Sequence, residues 1–251
     1  MKTRYFIFIS YRGTSYHGWQ IQPNSVTVQK ILDNALSVVL NEKISTVGAG
    51  RTDTGVHAQL FCAHFDSTYS DLFSLKKLVY KLNSFLPDDI SVTSIKKVLP
   101  DANARFSAIS RTYNYHISRF KDPFSENACW QINYDLDIDM MNKACDILRN
   151  TSDFTSFCKL HSDNKTNICK VYDAKWTENN NRLIFSIKAD RFLRNMVRAI
   201  VGTIVEVGYG KINLMEFESI ISAKDRGRAG KSAPAKGLFL TDIEYPIEIF
   251  C

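Results

Sequence analysis

The run Gly48-Ala-Gly-Arg-Thr-Asp-Thr-Gly-Val-His-Ala58 constrains this chain more than any other. It holds three glycines within eight residues. Glycine serves where backbone turns sharply or is approached too closely for a Cβ. Val47 precedes the run, and Gln59-Leu-Phe-Cys-Ala-His-Phe65 follows it. That order predicts a tight loop leading into a strand near 60–66. Arg51 and Asp53 lie between the second and third glycines, so a guanidinium and a carboxylate are offered from a pinned loop.

The flanking sequence reads as strands and helices in alternation. Tyr5, Ile7, Ile9 and Tyr11 alternate with Phe6, Phe8 and Ser10, which predicts a strand apolar on both faces. Arg12 to Asn24 is loop, and Ser25 or Thr27 can cap a helix. Val28, Ile31, Leu32, Ala35, Leu36, Val39 and Leu40 then trace one helical face. A helix near 74–84 and a strand from Ile90 to Val98 complete the first half. The pattern restarts with Arg111-Thr-Tyr-Asn-Tyr-His-Ile-Ser118, where Tyr113, Tyr115 and Ile117 share a face. Lys121 to Asn127 is loop, and a helix near 138–149 carries Met140, Ala144, Ile147 and Leu148 on its apolar side. Strands near 170–177 and 182–189 flank a turn at 178–181. Helices near 191–207 and 213–223 and a strand over Leu238–Glu244 follow. The reading is α+β, in two similar halves divided near residue 105.

Composition narrows the class. Apolar content of 45% and charged content of 23% are those of an ordinary globular protein. No apolar run approaches the ~20 residues of a membrane span, and the alternation near the N-terminus favours a strand over a signal peptide. Cysteines at 62, 129, 145, 158, 169 and 251 form no C-x-x-C and have no histidines at zinc spacing. They imply a reducing cytoplasm and no structural metal. A net charge of +6 permits a polyanionic partner.

Asp53 is the foremost candidate for chemistry. An Asp in a glycine loop ordinarily makes an Asx-turn or caps a neighbour. Arg51, two residues away, would favour its ionised form if the side chains meet, and an enclosed carboxylate can attack or take a proton. The dinucleotide and P-loop patterns do not fit the glycine spacing. Asp53-Thr-Gly55 spells the aspartic-protease triplet, but a dyad sharing one proton is disfavoured beside a cation. Tyr113 is either core or a platform for an unstacked base. Arg191, Arg194 and Arg198, at offsets 0, 3 and 7, are expected along one side of a helix opposite Phe192, Met196, Ala199, Ile200 and Thr203, with no acid before Glu206. Lys224 to Lys236 adds five basic residues and one acid. Together these read as a phosphate-tracking surface, set against an ordinary solvated charged face. His57 and His17 are read as structural.

Beyond single residues, a set of blocks occurs in order: Tyr11-x-Gly-Thr-x-Tyr-x-Gly-Trp-Gln-x-Gln-Pro23, Gly50-Arg-Thr-Asp-x-Gly-Val-His57, Ala104-Arg-Phe-Ser107, Arg111-x-Tyr-x-Tyr115, Asp153-Phe-Thr-Ser-Phe157, Met196-Val-Arg-x-Ile-Val-Gly202 and Gly237-Leu238. The chain resembles the bacterial tRNA pseudouridine synthases that act on the anticodon stem-loop. The resemblance implies conversion of uridine to pseudouridine at tRNA positions 38, 39 and 40, with no cofactor and no metal. It implies two α+β domains, 1–105 carrying the Asp loop and 106–251 carrying the Tyr strand and basic helix. These would share a mainly antiparallel sheet with helices packed on it, a basic catalytic cleft between them, and a homodimeric assembly. Asp53 falls on the catalytic aspartate and Tyr113 on the tyrosine that stacks on the target base. Arg198 falls on the basic partner of the aspartate and Arg51 on the arginine that helps extrude the nucleotide. Arg111, Arg191, Arg194 and Lys236 are the further expected tRNA contacts. Arg12, where the family usually has Asp, and Thr54, where it has Ala, depart from the pattern. A non-catalytic RNA chaperone of the same fold is the competing reading.

Overall fold

The computed structural model describes residues 2–69, 75–160, 165–179 and 182–251. Among these residues lie nine strands, mainly antiparallel, and five α-helices. The chain divides into two compact units, one of residues 1–109 with 240–251, the other of residues 110–239.

In the first unit, β1 (Thr3–Tyr11) is flanked antiparallel by β3 (His57–Ser67) and β4 (Ile90–Lys97), with Ile7 opposite Ala63 on one side and Ile95 on the other. Its two-sided apolar pattern goes with burial of both faces. Tyr5, Phe6, Ile7, Ile9 and Tyr11 are all buried, and Phe6 meets Tyr245 and Phe250 edge-on. Helix α1 (Val28–Leu40) starts where the Thr27 hydroxyl accepts the Lys30 N–H and stops at Asn41, which holds a left-handed φ of 51°. Val28, Leu32, Ala35 and Leu36 form its buried stripe. The short β2 (Val47–Gly48) pairs with β3 and brings the chain to the glycine loop. Helix α2 (Leu75–Phe85) buries Leu78 and Leu82. Its expected first residue, Ser74, lies outside the described residues.

In the second unit, β8 (Arg182–Ala189) lies between β5 (Ser110–Ser118) and β7 (Val171–Asn179), so that Tyr115, Phe185 and Trp176 stand in register. The two-residue β6 (Trp130–Gln131) runs parallel to β5. The turn expected at 178–181 is in part strand, since β7 reaches Asn179, and positions 180 and 181 lie outside the described residues. Helix α3 (Ile138–Arg149) buries Met141, Ala144, Cys145 and Leu148 rather than the Met140 and Ile147 of the expected stripe. Gly208 leaves the space that Met141 fills: a Cβ there would stand 2.6 Å from the Met141 sulfur.

The expected helix over 191–207 begins later. Asn195 holds a left-handed φ of 66°, and α4 (Met196–Gly208) starts after it. Arg191, Phe192 and Arg194 therefore precede the helix and share no face of it with Arg198. Eleven of the thirteen residues of α4 are buried, so it has no basic side. The segment 230–233 lies against it at Arg198, Gly202 and Thr203. Gly202 comes so close to Lys231 that a Cβ would lie 1.8 Å from the Lys231 carbonyl oxygen, and Ala233 N–H bonds to the Arg198 carbonyl at 2.9 Å. After α4 come α5 (Leu214–Ser222), opened by a reciprocal Asn213–Glu216 cap, and β9 (Leu238–Glu244). The boundary between the units falls within β9. Residues after it return to the first unit: Glu244 accepts the Ile109 N–H at 2.8 Å, and the Tyr245 hydroxyl donates to the Ala104 carbonyl at 2.6 Å.

Candidate functional site

Asp53 stands in the segment joining β2 to β3, half-buried, with exposed Arg51 and Thr54 on either side. The three glycines of the loop do different work. Gly55 takes a left-handed φ of 79°, which turns the chain into β3. Gly48 is crowded by rings, since a Cβ would meet the Trp19 indole nitrogen at 2.4 Å and Phe61 at 2.9 Å. Gly50 has no atom within 4 Å of where its Cβ would be and no left-handed φ.

What holds Asp53 is the aromatic loop that follows β1. Trp19 donates its backbone N–H to the Thr52 carbonyl at 3.3 Å, and Gly55 donates to the Tyr16 carbonyl at 3.4 Å. The Tyr11 hydroxyl meets the Thr52 hydroxyl at 2.8 Å in a buried contact. Gly13 donates its N–H to Nδ1 of His57 at 3.1 Å. His57 is buried and takes the structural part expected of it, whereas His17 is exposed. Gly13 and Gly18 allow the approach: a Cβ would lie 2.0 Å from the Val56 carbonyl oxygen at the first and 2.3 Å from that of Thr52 at the second. The residues before and after Asp53 are thus fastened from behind, and the Asp53 carbonyl itself accepts the Val56 N–H at 3.1 Å. Tyr16 is fixed in turn by donating its hydroxyl to Asp89, and burial with that carboxylate pushes the Tyr16 hydroxyl far above its ordinary range. Arg12 anchors the start of the loop through its backbone N–H, bonded to the Asp89 carbonyl at 2.9 Å, so the departure at this position leaves the anchor in place.

In the second unit Tyr113 lies half-buried on β5, its ring set edge-on to Phe192 at 5.0 Å. Two positions on and on the same face, Tyr115 is fully buried and donates its hydroxyl to the Pro234 carbonyl at 2.8 Å. Burial pushes the Tyr115 hydroxyl far upward, and the nearby positive charge of Arg198 opposes that rise. Arg198 and Tyr115 are held by adjacent carbonyls, since the Arg198 Nε donates to that of Ala233 at 2.8 Å beside the Pro234 carbonyl bonded by Tyr115. Gly237 lets the chain pass Tyr115, where a Cβ would lie 2.7 Å from the ring. The segment Ala233 to Gly237 is thus a second piece of scaffold, where sequence alone shows only positive charge.

The other expected cations are dispersed. Arg111 donates to the Asp190 carbonyl at 2.9 Å, and the Asp190 carboxylate accepts the N–H groups of Lys170 and Arg191. This Asp190 turn holds the chain between β8 and α4. Arg194 is exposed, with its carbonyl bonded to the Lys159 N–H, and Lys236 donates to the Glu126 carbonyl at 2.9 Å. Arg226, one of the five basic residues of the 224–236 stretch, braces its own loop by donating to the Ala229 and Gly230 carbonyls and the Ser232 hydroxyl. Among the described residues no cluster of three or more His, Cys, Asp or Glu could hold a metal ion, and no helix is long and apolar enough to cross a membrane.

Comparison with known proteins shows the family. Residues 7–107 and 144–246 match the family model described as tRNA pseudouridine synthase. The chain is 52% identical over 248 residues to tRNA pseudouridine synthase A of Bacteroides fragilis, covering 98% of each chain. It is 50% identical to the protein of that name from Parabacteroides distasonis, again over 98% of each. A protein of the same name from a Thermoanaerobacter species is 44% identical, over 95% of this chain and 98% of its own. With a family match over most of its residues and relatives about half identical along its length, the chain belongs to the tRNA pseudouridine synthase family.

Proposed function

We propose that this protein isomerises uridine to pseudouridine at positions 38, 39 and 40 in the anticodon stem-loop of tRNA. The reaction breaks the bond between C1′ and N1, turns the base, joins C1′ to C5, and releases the C5 hydrogen as a proton while N1 takes one up, so no atom is gained or lost overall. Nothing is oxidised or reduced, so the chemistry calls for a carboxylate, a held base and charge stabilisation, and for no redox partner. Asp53 is the catalytic residue. Tyr113 stacks on the target base after it leaves the helix. Arg198 stabilises the charge of the carboxylate, and Arg51 helps extrude the nucleotide. Arg111, Arg191, Arg194 and Lys236 contact the sugar–phosphate backbone, which positions the RNA without reading its bases. The enzyme works in the cytoplasm as a homodimer, with residues 1–105 supplying Asp53 and residues 106–251 supplying Tyr113 and Arg198.

The observation that carries this reading is the Asp53 loop, fastened by hydrogen bonds on both sides, in a chain whose synthase relatives match it over 98% of its length. A carboxylate fixed on both sides by backbone hydrogen bonds is suited to chemistry, because little reorganisation remains at the moment of reaction. The test is tritium release from tRNA transcripts carrying 5-tritiated uridine, with wild type compared to Asp53→Asn. Release by wild type alone, with tRNA still bound by the variant, supports the assignment. Binding without release by either protein would replace it with the RNA-chaperone reading.

A further inference from the structure

Helix α2 carries its charge in an unusual way. Leu78 and Leu82 face the core, while Lys76, Lys77, Tyr80 and Lys81 are exposed, Tyr80 at 75%. Residues 75–85 hold no acid. Among the described residues no carboxylate pairs with any of the three lysines. The nearest acid before them in the sequence, Asp71, lies outside the described residues. The acids of α1 and its C-terminal end are already engaged: Asp33 accepts from the Thr46 N–H and hydroxyl, and Glu42 binds Lys2, Ser67 and Thr68.

This arrangement does not help the helix. Lys76 and Lys77 sit in its first turn, at the positive end of the helix dipole, and Lys77 and Lys81 are like charges four residues apart. A local preference broken with no gain to the fold is expected where a surface has another use. Lysine ammonium groups and a tyrosine hydroxyl are among the usual donors to phosphate oxygens. The face has no arginine fork or amide to read a base edge, so it would track charge and not sequence.

We propose that the Lys76–Lys77–Tyr80–Lys81 face of α2 is an auxiliary contact for the sugar–phosphate backbone of the tRNA, distant from the nucleotide that reacts. The proposal rests on the reading of this protein as a tRNA-modifying enzyme. Within the first unit, the C-terminal end of α2 is followed four residues on by Asp89, which bonds Tyr16 and the Arg12 N–H of the loop that holds Asp53. The lysines at 76 and 77 lie at the other end of a helix about 16 Å long, at about 1.5 Å per residue. A single extruded nucleotide does not span that length, so the face takes another part of the same RNA.

The test is a triple variant, Lys76→Gln with Lys77→Gln and Lys81→Gln, which keeps helix propensity while removing the charge. Binding of a full-length unmodified tRNA transcript is measured across a salt series, with tritium release at saturating tRNA and the mass in solution recorded beside it. The slope of log affinity against log salt should shrink by roughly 2 to 3, at ~0.7–0.9 for each phosphate left without a lysine. The turnover number at saturation should stay that of wild type. Tyr80→Ala, which keeps the charge, should weaken binding without changing the slope. Unchanged affinity and slope in the triple variant would overturn the proposal. So would a change in mass with unchanged affinity per protomer, which would make the face a contact between copies of the chain. If wild type binds tRNA but releases no tritium, the activity assignment fails, and the slopes still decide whether this face touches RNA.

Discussion

Replacing Gly18 by alanine tests how firmly the aromatic loop positions Asp53, although the two residues are 35 positions apart in sequence (53 minus 18). Gly18 holds a φ of 82°, and an added Cβ would stand 2.3 Å from the Thr52 carbonyl oxygen and 3.2 Å from the Asp53 carbonyl carbon. The obstruction is backbone, so no side-chain rotation relieves it. Ordinary carbon contacts begin near ~3.5 Å, so one of the two loops must give way by ~1 Å. The hydrogen bond from Trp19 N–H to the Thr52 carbonyl lies in the same place and would be strained by that shift. Left-handed backbone at a non-glycine residue costs roughly 1–3 kcal/mol. At roughly 2–4 °C per kcal/mol for a chain of this size, the melting midpoint should fall by several degrees. The effect on the reaction should be larger, because a ~1 Å misplacement of a catalytic group can cost ~100-fold in rate. The assay is kcat/KM for tritium release well below both midpoints, with circular dichroism to confirm that the variant is folded. A folded variant whose kcat/KM stays within about threefold of wild type, a loss of well under 1 kcal/mol, would refute the reasoning that this contact positions Asp53.

Substitutions at three other positions probe separate parts of the structure. Gly50→Ala should leave the melting midpoint nearly unchanged, since open space surrounds the new Cβ. Lost activity at an unchanged midpoint would then assign this glycine to close approach by the RNA, whereas a large drop in midpoint would contradict the geometry. Arg198→Ala and Arg198→Lys should both reduce kcat strongly with little change in tRNA affinity, because lysine cannot reproduce a planar guanidinium held through Nε on the Ala233 carbonyl. A lysine variant near the wild-type rate would mean that positive charge alone suffices. Glu42 bears on acid stability: the Ser67 hydroxyl, then Lys2 and the Thr68 N–H, hold its carboxyl down at about 2, from an ordinary 4.5. The folded state thus prefers the ionised form, so this contribution is present above pH 4.5 and lost as pH falls towards about 2. Urea midpoints of wild type should therefore fall more steeply than those of Glu42→Gln over that window, and parallel curves would show that the cluster contributes nothing.

The parts of this protein that sequence made legible are those where one local rule decides the outcome. Thr27 caps α1 because its side-chain oxygen reaches a free N–H of the first turn, and α1 and α3 both start where the periodicity placed them. β1 is apolar on both faces because both are covered: Tyr5, Ile7 and Ile9 are buried on one, and Phe6 packs on Tyr245 and Phe250 on the other. Periodicity misled where tertiary structure took over. The arginines at 191, 194 and 198 count as one helical stripe, yet Asn195 adopts a left-handed φ and ends that count before the helix begins. Asparagine tolerates that conformation but does not announce it. In α3 the adjacent Met140 and Met141 are equally apolar, and the space left by Gly208 decides between them. The candidate site divides along the same line. Asp53 stood out because glycines surround it, but its fastening depends on Tyr11, Gly13, Tyr16, Gly18 and Trp19, whose contacts with residues 52–57 come from the pairing of β1 with β3. Charge read along the chain does not show what each cation is bonded to. It grouped Arg226 with residues expected on the RNA, although its guanidinium braces a loop, and it passed over α2, whose lysines oppose their own helix dipole. A cation that satisfies a carbonyl is accounted for by the fold. One that costs the helix energy and meets no acid among the described residues calls for a partner outside it.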